Sequence, residues 1–328
     1  MIPLFGHDAA VAEFREGLDG GKLHHAWLIS GPEGIGKASF AAKAALRVLA
    51  QGQGRVDLPG LDVPDDHPAA HLVAAGSHPD LMRLERLPRE NGSSGELARS
   101  INVEQVRGLS RLFSTTASLS PWRVVVIDSI DDLERAAANA LLKNLEEPPP
   151  FSLFLLVSHA RGRLLPTIRS RTRPLRLSPL DDEAMTSALR AALPEADSKE
   201  IEELKAAGQG SPGRALACRG LDMAGLDRAM AELARKGDPT NARRSALARS
   251  LALKAAQPRY EAFLARMPGV VAAAAKKRRG AALADALRLW ERAQALAASA
   301  KPLSLEPESV VFELAGILAT LAPKTVDG

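Results

Sequence analysis

The segment Gly31-Pro32-Glu33-Gly34-Ile35-Gly36-Lys37-Ala38 fits the pattern G-x-x-x-x-G-K and stands between an apolar run, Ala26 to Ser30, and a helical stretch, Phe40 to Leu49. Glycines let a backbone wrap so that successive N–H groups point at phosphate oxygens, the helix N-terminus adds partial positive charge, and the lysine reaches the terminal phosphates. The chemistry indicated is the binding of a nucleotide, ATP or ADP, by Gly31, Gly34, Ile35, Gly36, Lys37, Ala38 and Ser39. The competing reading is a Gly-rich turn that binds nothing. After the lysine the pattern asks for a Ser or Thr whose hydroxyl ligates magnesium, and here that residue is Ala38. Ser39 comes one residue late, roughly 100° round a helix, so magnesium-dependent chemistry lacks a usual ligand.

A second candidate lies at the end of Val124-Val125-Val126-Ile127-Asp128, an apolar strand closing on a carboxylate. Such an acid assists magnesium in P-loop proteins; the alternative for Asp128 is a strand-end helix cap. The next residue is Ser129. Hydrolysing relatives of this motif carry Glu there to orient or deprotonate water, a task for which a hydroxyl is too weak a base. Asp131 and Asp132 follow but belong to the next turn.

The elements that must position these groups are legible in part. Ala26 to Ser30, Arg123 to Asp128 and Leu153 to Ser158 read as short buried strands alternating with helical stretches as far as about Leu177, which predicts a parallel sheet covered by helices. Gln51 to Gly76 and the polar turn Arg89 to Gly95 read as insertions or loops. After Ser178-Pro179 strand signals vanish: Asp182 to Leu193 and Ser198 to Ala207 have helical spacing, Gly208 to Gly213 is a turn, and Leu221 to Leu321 is helical throughout. Three domains are expected, 1–178, 179–220 and 221–328.

Composition sets the bounds. The 328 residues are 46% apolar and 25% charged, ordinary for a globular chain, and 43 basic against 39 acidic side chains give a mildly cationic +4. The single cysteine, Cys218, excludes an internal disulfide and a four-thiolate zinc site. No long apolar span and no leader pattern at Met1 to Asp8 are evident, so a cytoplasmic protein is expected. His67 and His71 stand four apart, but Pro68 argues against a helix between them, and no metal site is expected there. The run Lys276-Lys277-Arg278-Arg279 is read as a solvated helix face or turn, with phosphate contact as its rival.

With both strands in place, the chain resembles the delta prime family of bacterial DNA polymerase III clamp loader subunits. The resemblance is carried by Asp132 to Pro149, a helix ending in Leu145-Glu146-Glu147-Pro148-Pro149, and by Leu165 to Thr172, similar to a segment that ends in Ser-Arg-Cys in the family. His24 to Pro32 and Ile101 to Arg107 add to it, and it is strong over Leu4 to Leu180. It implies an AAA+ core, a helical lid and a helical collar for oligomerisation. The implied setting is a ring with gamma or tau and delta subunits that loads the sliding clamp onto primed DNA. It also implies that Arg171 acts in trans as an arginine finger on a neighbouring ATPase subunit. Catalytic gamma or tau relatives carry Ser or Thr after the loop lysine, Glu after the strand Asp, and Arg within Gly-Ser-x-Arg. Here stand Ala38, Ser129 and Gly210-Ser211-Pro212-Gly213, with Arg214 displaced by one. Relatives commonly hold zinc through four Cys in the first insertion, and Gln51 to Gly76 has none. The expectation is a holoenzyme component with little or no intrinsic ATPase. The rivals are a working gamma- or tau-type AAA+ ATPase and a stand-alone nucleic-acid-binding protein that uses Lys276 to Arg279.

Overall fold

The computed structural model describes residues 3–89, 97–114, 116–301 and 303–323. Residues 90–95 of the expected polar turn lie outside these. The chain divides into two compact units, 1–214 and 215–328, each described by itself below.

The first unit runs α1 (Asp8–Asp19), β1 (Ala26–Ser30), α2 (Lys37–Gln53), α3 (Pro68–Ala74), β2 (Leu81–Glu85), α4 (Val103–Arg107), α5 (Leu109–Ser114) and β3 (Arg123–Asp128). It continues through α6 (Arg135–Glu146), β4 (Ser152–Ser158), α7 (Pro166–Arg169), β5 (Arg173–Arg176), α8 (Asp182–Ala192) and α9 (Ser198–Gly208) to the start of α10 (Pro212–Ala217). The strands form one parallel sheet of order β2-β3-β4-β1-β5. This is the α/β fold, a parallel sheet covered by helices, that the sequence leads one to expect.

Side chains alternate between the two sheet faces, and both faces are covered. Trp27, Ile29, Val124, Val126, Leu153 and Leu155 pack with Phe14 and Phe40 on one side. Leu28, Val125, Ile127, Phe154 and Leu156 pack with Leu141 and Ile168 on the other. Double burial is why β1, β3 and β4 are unbroken apolar runs. Two further strands are not evident from the sequence. The edge strands β2 (Leu-Met-Arg-Leu-Glu) and β5 (Arg-Pro-Leu-Arg) each have a solvent side, and Pro174 is tolerated in β5 because an edge strand can lack a donor.

The insertion after α2 also holds more structure than its Gly, Pro and Asp content suggests. Pro68 does not prevent a helix between His67 and His71; it starts one. Pro68 is the first residue of α3, where the missing N–H would have had no helical partner, and His67 caps the helix by accepting from the Ala69 N–H. The expectation of no helix between the two histidines is therefore corrected.

The second unit is helical: the rest of α10, then α11 (Met223–Lys236), α12 (Ala242–Ala252), α13 (Gln257–Lys276), α14 (Gly280–Ala300) and α15 (Pro307–Thr320). Leu226, Met230, Leu251, Phe263, Met267, Val271, Val311, Leu314 and Leu318 are buried in it. Its basic run is partly tied down, since Arg278 Nη2 donates to the carbonyl of Leu321 at 2.6 Å and Arg279 Nη1 to that of Arg278 at 3.1 Å. Among the described residues, no helix is long and apolar enough to cross a membrane.

Candidate functional site

In an open parallel sheet, ligands meet the carboxyl ends of the strands. The register brings the named groups to that edge: Ser30 lies opposite Ser158, and Asp128 opposite Val157. From Ser30 the chain turns through the glycine loop, with φ of 74° at Gly34 and 104° at Gly36, and enters α2 at Lys37. At these two positions a side chain would be strained, and glycine is the residue that permits the wrap.

Lys37 is 3% exposed, and its Nζ donates to the carbonyls of Gly31 at 2.8 Å and Pro32 at 2.6 Å. Burial pushes its pKa below the usual lysine value, opposed by the negative charges of Glu33, Asp128 and Asp131. Burial also pushes the Asp128 carboxyl above its ordinary range; His159, Arg83 and Lys37 counter this, and Glu85 adds to it. Asp128 does not cap the turn that follows. That single 3₁₀ turn, Ile130–Asp132, has Ser129 at its cap position.

Ser129 is buried, and its Oγ donates to Asp131 Oδ2 at 3.3 Å. The same carboxylate accepts from Ser158 Oγ at 3.1 Å, from the His159 N–H at 2.6 Å and from the Ala160 N–H at 3.3 Å. Asp131 thus braces the end of β3 to the end of β4, and with four donors on its two oxygens it is not available to activate water. Nothing in the order of residues signals this brace, because its donors lie 27 to 29 residues downstream as well as next door.

Two further contacts on the loop are visible only in three dimensions. His7 Nε2 donates to the carbonyl of Ile35 at 3.0 Å. The turn Gly210-Ser211-Pro212-Gly213 seats its last residue on the loop, where the Gly213 N–H donates to the Gly34 carbonyl at 2.8 Å. A Cβ on Gly34 would stand 2.6 Å from the Arg214 nitrogen, and one on Gly213 would stand 2.8 Å from the Gly34 Cα. This approach of backbone to backbone requires glycine on both sides.

The glycine wrap and Lys37 are groups that could hold the phosphates of a nucleotide, while one usual magnesium ligand is missing. Ala38 offers a methyl group in place of a hydroxyl, and Ser129 is spent on Asp131. Among the described residues no group of three His, Cys, Asp or Glu side chains gathers as a metal site.

Arg171 is not part of this cradle. It precedes β5, whose start pairs with Trp27 near the beginning of β1, so it lies at the opposite end of the strands from the glycine loop. Its Nη1 donates to the Thr167 carbonyl at 3.0 Å and to Ser170 Oγ at 3.3 Å, and its Nη2 lies 2.9 Å from Glu146 Oε1. Thr172, where the resembled family has Cys, is buried with its hydroxyl bonded to the carbonyls of Ile168 and Arg169.

Residues 6–181 match the family model described as DNA polymerase III, delta subunit. The chain is 39% identical over 189 residues to DNA polymerase III subunit delta' of Pseudomonas aeruginosa, covering 57% of this chain and 53% of that protein. It is 35% identical over 184 residues to the protein of the same name from Haemophilus influenzae, covering 56% and 50%. It is 29% identical over 200 residues to DNA polymerase III subunit gamma of Buchnera aphidicola subsp. Schizaphis graminum, covering 61% and 51%. The chain spans about half the length of these curated relatives.

Proposed function

This chain belongs to the DNA polymerase III, delta subunit family, and on that footing we propose that it is a non-hydrolysing subunit of a clamp loader, working beside gamma or tau and delta subunits to load the sliding clamp onto primed DNA. The observation that carries the reading is the divided state of the cradle: Lys37 and the glycine wrap remain, while Ala38 and the sealed Ser129 remove the metal ligand and the water-activating position. ATP or ADP would rest on Gly31 to Ser39 without turnover, and Asp128 would face a site short of a magnesium ligand.

In this reading the chain contributes to hydrolysis through Arg171, presented to a nucleotide held by the adjoining subunit. A guanidinium there neutralises charge that develops on the transferring phosphoryl group, worth roughly 10³ to 10⁵ in rate. The position of Arg171, away from its own glycine loop and partly exposed at 34%, supports action in trans. Residues 179–220 would act as the lid, resting Gly213 on the loop, and residues 221–328 as the collar that joins the subunits.

The second reading, a gamma- or tau-type ATPase, draws on the similarity to a gamma subunit. The two part in one assay. The isolated chain with ATP and magnesium should show no steady turnover above background, whereas a reconstituted clamp loader should turn over, and Arg171→Ala should lower that rate by at least about a hundredfold at the affected site without loss of assembly. Turnover by the isolated chain that disappears in Lys37→Ala would favour the ATPase reading. Unchanged turnover of the complex carrying Arg171→Ala would remove the finger.

A further inference from the structure

Helix α6 ends at Glu146, followed by Glu147, Pro148 and Pro149. A carboxylate in the last turn meets the partial negative charge of the helix C-terminus, so α6 gains nothing from an acid there and would be better served by a base. What Glu146 does have is Arg171: its Oε1 lies 2.9 Å from Nη2. On the other terminal nitrogen, Nη1 is taken up by the Thr167 carbonyl and by Ser170 Oγ. Two contacts come from the chain beside Arg171 and the third from a separate helix, and together they fix the plane of a side chain that otherwise has many rotamers. A guanidinium has five N–H donors, more than these three contacts use, so a fixed fork still has donors to offer.

We propose that Glu146 is a positioning residue for Arg171, holding the guanidinium in the orientation in which a neighbouring subunit's nucleotide meets it; this rests on the reading of Arg171 as a finger in trans. The alternative, that Glu146 withholds Arg171 from the phosphates, is disfavoured by exposure. Glu146 is 49% and Arg171 34% exposed, and an ion pair so open to water is too weak to hold a cation against a polyphosphate. It is strong enough to bias orientation when two further acceptors hold the same group. Orientation is what a finger needs, because rate depends on donors already aimed at the developing charge.

The test uses the reconstituted clamp loader, with assembly checked by size exclusion and with kcat and KM for ATP measured for the parent, Glu146→Ala, Glu146→Gln, Arg171→Ala and the double variant Glu146→Ala/Arg171→Ala. Glu146→Ala should lower kcat roughly 1.5-fold to fivefold, the range of one exposed ion pair, with KM for ATP and assembly unchanged. Glu146→Gln, whose amide oxygen still accepts, should recover part of the loss. On the Arg171→Ala background, Glu146→Ala should add nothing. If Arg171→Ala is impaired while Glu146→Ala and Glu146→Gln both run at the parental rate, the finger stands and the role of Glu146 falls. A faster Glu146→Ala complex, or a further loss on top of Arg171→Ala, overturns the positioning role as well. If Arg171→Ala is itself without effect, the finger reading fails and this inference fails with it. Should Glu146→Ala not assemble, Glu146→Gln decides alone, with parental kcat as the overturning result.

Discussion

Asp131 ties the turn after β3 to the end of β4. Its carboxylate accepts from two hydroxyls and two backbone N–H groups, so the Ser129 hydroxyl is one strut of a brace between β3 and β4. Asp131→Ala should therefore destabilise the fold by about 2 kcal/mol, since removing the acceptor strands the hydroxyls of two buried serines, Ser129 and Ser158; urea denaturation would measure it, and a change below about 0.5 kcal/mol would refute the brace. Asp128 behaves in the opposite sense. Burial raises its pKa, so the folded state binds a proton more readily than the unfolded chain. Stability is then highest below the ordinary carboxylate pKa and falls as pH rises through the window between that value and the raised one, staying reduced above it. Asp128→Asn removes the buried charge, so it should be more stable than the parent at neutral pH, with the advantage shrinking as pH falls towards about 4. Thermal melts across that range would test it, and an advantage that grows on acidification would contradict the assignment.

At the scale of elements, the insertion after α2 illustrates what the sequence conveys and what it does not. The glycine loop and the strands β1, β3 and β4 are legible because each is a contiguous pattern: a motif, or a run buried on both faces. The edge strands β2 and β5 are not, since their mixed polarity reflects a neighbour on one side and water on the other. The contacts of Gly213 with Gly34, of Asp131 with β4 and of Glu146 with Arg171 join residues far apart in the chain, which no local pattern can announce. The insertion is of this kind. Arg47, 1% exposed, reaches from α2 into it. Its Nη1 donates to the carbonyls of Leu58 at 2.9 Å and Asp62 at 2.7 Å, its Nη2 to that of Val56 at 2.9 Å, and its Nε to Gln51 Oε1 at 3.3 Å. One buried cation thus organises this segment, and Lys43 adds an ion pair to Asp62. Arg47→Ala should cost about 3 kcal/mol or more, because three carbonyls lose a charged donor, and should expose residues 54–66 to protease before the rest of the chain. Proteolysis as slow as in the parent would show that the insertion is held by other means.

At the scale of the molecule, the two units differ in kind. Residues 1–214 gather their core across a sheet whose strands are far apart in sequence, while residues 215–328 gather theirs between helices, α13 with α14 and α15 with α12 and α11. Each has its own large buried side chains, Trp27, Phe40 and Phe154 in the first and Tyr260, Phe263 and Met267 in the second. A core is the unit of cooperativity, so two cores predict unfolding that departs from a single two-state transition. Calorimetry should give an enthalpy larger than the van't Hoff value from the same melt. Truncating a buried aromatic costs about 3 to 5 kcal/mol and should act on the core that contains it. Phe154→Ala should lower the melting of strand signals while leaving that of the second unit in place, and Phe263→Ala should do the reverse. Peptide-resolved hydrogen exchange on the heated chain separates the two, because protection in 215–328 would survive the first change and be lost with the second. Equal loss of protection throughout the chain from either substitution would mean that the two cores melt as one, and the assignment of separate roles to them would lose its energetic basis.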